Sequence, residues 1–146
     1  MDVKQSSVEA LRRITRALDV HSRALLQKHN LTGPQLNVLK ELARQGQAPI
    51  GILAKSTYLG APTVTGVVDR LERHGWVTRV PGKEDRRQVL ITISAAGKRM
   101  LERNPPLIME TFCRKLLRCP PAEQQQIGEV LQKVAGMIEQ SSLNGE

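Results

Sequence analysis

The apolar positions of this chain fall into helical periods almost from its first residue. Val8, Leu11, Ile14, Leu18 and Leu25 recur at steps of three and four, the last step spanning His21. That spacing predicts one long amphipathic helix over about 8–29. Thr32-Gly-Pro-Gln35 reads as a helix start: Thr32 caps, Pro34 suits the first turn, and Gln35 stands where a capping box places it. Leu36, Leu39 and Leu42 give this second helix an inner face, and Gly46 ends it. Residues 50–58 predict a short third helix with Leu53 and Ala54 inward. Leu59-Gly60 forms the turn to a fourth helix over 61–74, with Pro62 in its first turn and Gly75 closing it. The pattern then changes. Residues 76–80 and 87–93 are rich in β-branched side chains and read as two strands around a loop at 81–86. Ser94 caps a fifth helix running to about Arg118. Pro105-Pro106 interrupts it, since each proline lacks a backbone donor and clashes with the preceding turn, so a kink or break is expected near Arg103. Pro120-Pro121 opens a sixth helix striped by Ile127, Val130, Leu131, Val134 and Ile138, and residues 141–146 are expected to fray.

The order of elements is four helices, a hairpin and two more helices. It predicts a mainly α chain with a small β-hairpin wing (α+β): a winged helix-turn-helix domain with a helical base. The expected divisions are 1–30, 31–94 and 95–146. Neither the stripe on 8–29 nor that on 121–140 belongs to the core of a winged domain. Such faces must be covered, and a second copy of the chain is the expected cover.

Charge adds a partner to this picture. The chain has 146 residues and a formal net charge of +8. Residues 1–49 hold eight Lys/Arg against four acids, 50–100 nine against four, and 101–146 five against six. The basic excess therefore lies in the first two thirds and favours a polyanion there. Only Tyr58, Trp76 and Phe112 are aromatic, too few for the base-stacking platforms of single-strand binders. No apolar run approaches the ~20 residues of a membrane span, and the N-terminus lacks a signal-peptide apolar region, so a cytoplasmic protein is expected. Two cysteines, Cys113 and Cys119, make no disulfide framework and stand at a poor metal spacing. His21, His29 and His74 lie in separate elements with no carboxylate at triad or metal spacing, and no glycine-rich phosphate loop is present. No enzyme, metal or cofactor is expected.

The chemistry concentrates in residues 50–93. In a helix-turn-helix the first helix braces the second, whose early turns meet base edges in the major groove. The fourth helix offers Thr63 and Thr65 outward, each with a hydroxyl for base or phosphate oxygens and a methyl for thymine. Gly66 removes bulk from the same surface, Arg70 and Arg73 are placed to hold phosphates, and Ser56 and Thr57 are expected to touch a phosphate beside them. Lys83, Arg86 and Arg87 crowd the hairpin tip, with Arg79 on its first strand, and arginine is drawn to a narrow minor groove. Asp85, an unlikely neighbour for DNA, is expected to orient Arg87 through a bidentate grip on its guanidinium.

At these residues a family becomes visible. DRLERHGWVTR, followed by EDRRQVLITIS and AAGK, resembles the MarR family of bacterial transcriptional regulators, and the likeness covers residues 32–99. It implies a homodimer whose first, fifth and sixth helices form a base carrying two winged domains. The 61–74 helix would lie in the major groove and Arg87 in the minor groove of a pseudo-palindromic operator, usually for repression. Many such proteins are released by small aromatic or phenolic ligands, others by cysteine oxidation. The resemblance places an effector pocket among the first, second and fifth helices, which makes Arg16, His21 and His29 the candidate ligand residues. The chain departs from the family at Pro105-Pro106, inside what is usually one long helix. Its cysteines also differ: the family's reactive cysteine lies in the first helix, so Cys113 and Cys119 are expected to be buried structural thiols, although Arg114, Lys115 and Arg118 leave a redox role open. Two other readings stand beside gene regulation, a winged helix that binds protein and a nonspecific DNA coat.

Overall fold

A computed structural model describes residues 2–103 and 105–144. The chain divides into two compact units, Met1–Leu107 and Ile108–Glu146.

The first unit opens with α1 (Val3–His29), started by an Asp2–Gln5 capping box and ended by Asn30 in the left-handed region. Its periodic stripe divides along its length. Leu25 is buried, Leu11 and Leu18 are half-buried, and Val8 and Ile14 are exposed. Leu31 follows into the core and is fully buried. The expected capping box at Thr32 and Gln35 is formed, with Gln35 N donating to Thr32 Oγ1 and Thr32 N to Gln35 Oε1, and it starts α2 (Gly33–Gln45). Leu36, Val38, Leu39 and Leu42 on α2 are fully buried. Each such side chain contributes about 1.5–3 kcal/mol on leaving water, so α2 is the axle of the domain.

Two short helices pack on that axle, α3 (Ile50–Thr57) through Leu53 and α4 (Ala61–Arg73) through Val64, Val67, Val68 and Leu71. Gly75, with φ +76°, turns the chain out of α4 in a conformation glycine adopts without penalty. The sheet holds more than the expected hairpin. β1 (Gln47–Ala48) adds a third strand, and the order is β1-β3-β2 with β2 (Val77–Pro81) and β3 (Val89–Ile93), all antiparallel. Ser94 caps α5 (Ala95–Glu102), accepting from Gly97 N and donating to the Gly75 carbonyl at 2.6 Å. The start of α5 and the end of α4 are thereby tied together.

The proline pair ends the fifth helix outright. α5 stops with Arg103 as its cap, Pro105 is buried, and a separate helix, α6 (Ile108–Leu117), opens the second unit. Of the kink or break expected near Arg103, the structure forms the break, and the segment up to Arg118 is two helices. The second unit continues with α7 (Pro121–Asn144), which packs on α6. Helix therefore persists where fraying was expected, as far as Asn144; residues 145–146 lie outside the described ones. Along the α7 stripe Ile127 and Val134 are half-buried, while Val130, Leu131 and Ile138 are exposed. No described helix is long and apolar enough to cross a membrane.

Candidate nucleic-acid interface

Burying Val64, Val67, Val68 and Leu71 forces the other face of α4 outward. Thr63, Thr65, Gly66, Arg70 and Arg73 are all exposed there. Thr65 Oγ1 donates to the Ala61 carbonyl at 3.0 Å, which fixes its rotamer and leaves oxygen lone pairs and a methyl for a partner. A side chain at Gly66 would meet nothing, so the surface there is open for close approach.

Next to this face stands the β2–β3 wing. Gly82 N donates to the Gln88 carbonyl at 2.7 Å and Gln88 N to the Asp85 carbonyl at 3.1 Å, which folds the tip tightly. A Cβ on Gly82 would come within 2.6 Å of the Asp85 carbonyl, so the turn closes only with glycine. Lys83, Arg86 and Arg87 project from this tip, and the Arg87 side chain is 96% exposed. Asp85 behaves differently from the expected bidentate grip. Its Oδ1 accepts the backbone N–H of Arg87 at 3.0 Å, and the guanidinium Nε lies at 3.6 Å. The carboxylate shapes the turn that presents Arg87 and leaves the guanidinium open to solvent.

Arg79 faces inward. It bonds Asp69 at 2.5 Å and Glu72 at 2.7 Å, both on α4, and so ties the first wing strand to the helix beside it. Hydrogen bonding to Asp69 and the charge of Glu72 push its already high pKa further up, and its cation is engaged by two carboxylates of α4. Thr57, expected at a phosphate, is buried with its hydroxyl donating to the Leu53 carbonyl at 2.5 Å. The sequence held the signal for this: Thr57 is one turn past inward-facing Leu53. Ser56 is half-buried, donates to the Ile52 carbonyl at 3.0 Å and accepts from Gln45 at 3.4 Å. Its neighbour Tyr58, which the periodicity does not single out, is almost fully exposed.

The candidate effector residues do not converge. Arg16 and His21 share an open groove along α1 with Arg13, Ile14 and Val20, whereas His29 lies two turns on, at the helix end. His21 Nε2 and His29 Nδ1 are each buried without a hydrogen-bond partner among the described residues. Cys113 is exposed and Cys119 half-buried, with Sγ 3.6 Å from the Lys115 carbonyl, so neither is the buried thiol expected within this chain.

A three-helix core, a brace helix, an outward polar helix and a three-stranded wing define a winged helix-turn-helix protein. Residues 31–89 match the MarR family model. The chain is 32% identical to the HTH-type transcriptional regulator YsmB of Bacillus subtilis over 94 residues, spanning 64% of each protein. Among solved structures, BpsR of Bordetella bronchiseptica, described with regulation of its DNA binding by 6-hydroxynicotinic acid, is similar with a TM-score of 0.68, 25% identity and coverage of 92% of this chain and 96% of that one. Sco3205, a MarR family regulator from Streptomyces coelicolor solved in complex with DNA, shares the fold at a TM-score of 0.71, with 23% identity over 92% of this chain and 88% of that one. Over residues 31–89 the chain is thus similar to the MarR family, and the relatives it matches are described as transcriptional regulators.

Proposed function

We propose that the chain is a sequence-specific double-stranded DNA-binding transcriptional regulator. It acts as a homodimer in the cytoplasm, on a pseudo-palindromic operator, and it represses by occupying that site. It carries no catalytic role. The observation that carries this reading is the exposed Thr63, Thr65, Arg70 and Arg73 face of α4, beside a wing whose three exposed cations, Lys83, Arg86 and Arg87, are held out by a glycine turn. The α4 face enters the major groove, where the threonines meet bases and the arginines hold phosphates. Arg87 reaches the adjacent minor groove, with Lys83 and Arg86 on the backbone. Ser56 contributes through its neighbouring backbone, and Asp85 through the wing turn.

The dimer follows from uncovered surface. Val3, Val8, Ile14, Val20 and Leu26 on α1, and Val130, Leu131, Met137 and Ile138 on α7, are exposed apolar side chains. A second copy would cover them, and its two-fold axis would match a palindrome. On this reading residues 1–30 and 95–146 serve dimerisation and 31–94 serve DNA. BpsR, a regulator whose DNA binding responds to 6-hydroxynicotinic acid, supports a small-molecule effector here, with the Arg16 and His21 groove as its first place to look.

Selection of bound duplexes from a random-sequence pool tests the reading. A two-fold symmetric consensus with a fixed half-site spacing is expected, together with steep loss of affinity as salt rises. Binding without sequence preference would reduce the protein to a DNA coat, and no binding at low salt would leave the winged helix as a protein-interaction module.

A further inference from the structure

Tyr58 is the only tyrosine of the chain, and folding gains almost nothing from it. It is 96% exposed, whereas Trp76 is 9% exposed and stacks on His74 with ring centroids 4.3 Å apart. Its backbone is left-handed, φ 58° and ψ 25°, which glycine adopts freely and a side chain with a Cβ adopts only at a cost. The chain thus keeps a bulky aromatic where a smaller residue would be easier, and exposes it. The frame beneath is fixed: Thr57 Oγ1 donates to the Leu53 carbonyl at 2.5 Å, and Asn37 Nδ2 donates to the Thr57 carbonyl at 3.3 Å from α2. Strain that is held by surrounding bonds and spent on an exposed side chain points to a partner outside the fold. Position names that partner, because Tyr58 lies in the turn between α3 and α4, at the end of α4 that carries the exposed Thr63 and Thr65.

We propose that Tyr58 is a further DNA-contacting residue, its phenol hydroxyl donating to a backbone phosphate at the lip of the groove that α4 enters. The assignment rests on the DNA-binding function proposed above. A neutral phenol releases no counterion, so its contact is independent of salt, in contrast to that of Arg87. A phosphate carries no sequence information, so the contact also adds equally to all duplexes.

The test uses the full chain, a duplex selected from the random pool and an unrelated duplex of the same length. Tyr58→Phe should bind both about ten- to a hundredfold more weakly, as expected for loss of one hydrogen bond to a charged oxygen, with the salt slope unchanged. Tyr58→Gly should lose at least as much affinity while melting no lower than the parent, since glycine relieves the left-handed backbone. Unchanged affinity in Tyr58→Phe overturns the hydroxyl contact. A loss confined to the selected duplex overturns the phosphate assignment in favour of a base. Failure of the parent chain to bind any duplex overturns the function itself, a result separable from failure of the tyrosine alone.

Discussion

Arg87 is the side chain that most sharply tests the wing. It is 96% exposed, and its guanidinium reaches the exposed Asp85 carboxylate at 3.6 Å. Arg87→Ala should weaken duplex binding by about five- to tenfold and reduce the slope of log affinity against log salt by about one, leaving the melting temperature unchanged. A gel-shift titration at several salt concentrations measures both quantities, and an unaltered slope would remove Arg87 from the interface. Glu41 is a residue of the opposite kind, engaged with the fold through Arg44 and Gln45. Hydrogen bonding to Arg44 holds its carboxyl below the ordinary value of 4.5, with Gln45 adding a further bond. Its folded pKa is thus lower than its unfolded one, so its stabilising contribution is complete above about pH 4.5 and disappears as pH falls through the depressed range. Urea melts of Glu41→Gln against the parent should therefore differ most at neutral pH and converge in acid. Residue roles were only partly legible beforehand. Exposure of Thr63, Thr65, Arg70 and Arg73 followed from helical period alone, whereas the pairing of Arg79 needed its two acidic partners, ten and seven residues earlier, to be brought alongside by the turn at Gly75.

Between elements, the decisive joints are the ones that hold the wing to α4. Arg79 bridges β2 to Asp69 and Glu72. Removing it frees the strand and exposes two carboxylates close to where phosphates would lie. Arg79→Ala should cost at most about 1 kcal/mol of stability, as exposed ion pairs do, yet lower duplex affinity by about tenfold. Equal binding in a fluorescence titration would show that the wing keeps its place without the clamp. The other joint is steric. A Cβ on Gly97 would fall 2.3 Å from the Trp76 carbonyl and 2.8 Å from Ile93 Cγ1, so α5 lies on the base of the sheet only with glycine there. Gly97→Ala should destabilise the chain by about 2–3 kcal/mol in urea denaturation. Helix starts were the most legible part of the chain because Thr32, Pro62 and Ser94 act through bonds or restrictions within one turn. β1 was not legible: two residues carry no period, and Gln47 and Ala48 become a strand only because β3 lies beside them. At Pro105-Pro106 the interruption was readable, but whether it bends or divides a helix depends on surroundings that burying Pro105 supplies.

At the scale of the whole molecule, the chain leaves apolar surface that water should not keep. α6 and α7 contain no buried side chain among those described, and Met109, Phe112, Leu117, Val130, Leu131, Met137 and Ile138 are exposed. A helical hairpin of this kind is marginal alone, since stability in helices comes from packing an apolar face. The sequence stripe made the helix legible but not its cover, because a stripe shows that a face is apolar and not what lies against it. Two exposed positions in the middle of α7 separate these possibilities without touching the DNA-reading surface. Val130 and Leu131 are 55% and 42% exposed, so glutamate at both should be accommodated in the isolated chain and rejected at an interface that must exclude water. Val130→Glu combined with Leu131→Glu should sediment as a monomer while the winged domain keeps its helical signal. The monomer should bind a single half-site nearly as the parent does, but lose about a hundredfold or more on the full palindrome, because the second half-site is no longer reached at high effective concentration. A species that still sediments with twice the chain mass would place the two-fold contact elsewhere, on the exposed Val8, Ile14 and Val20 of α1.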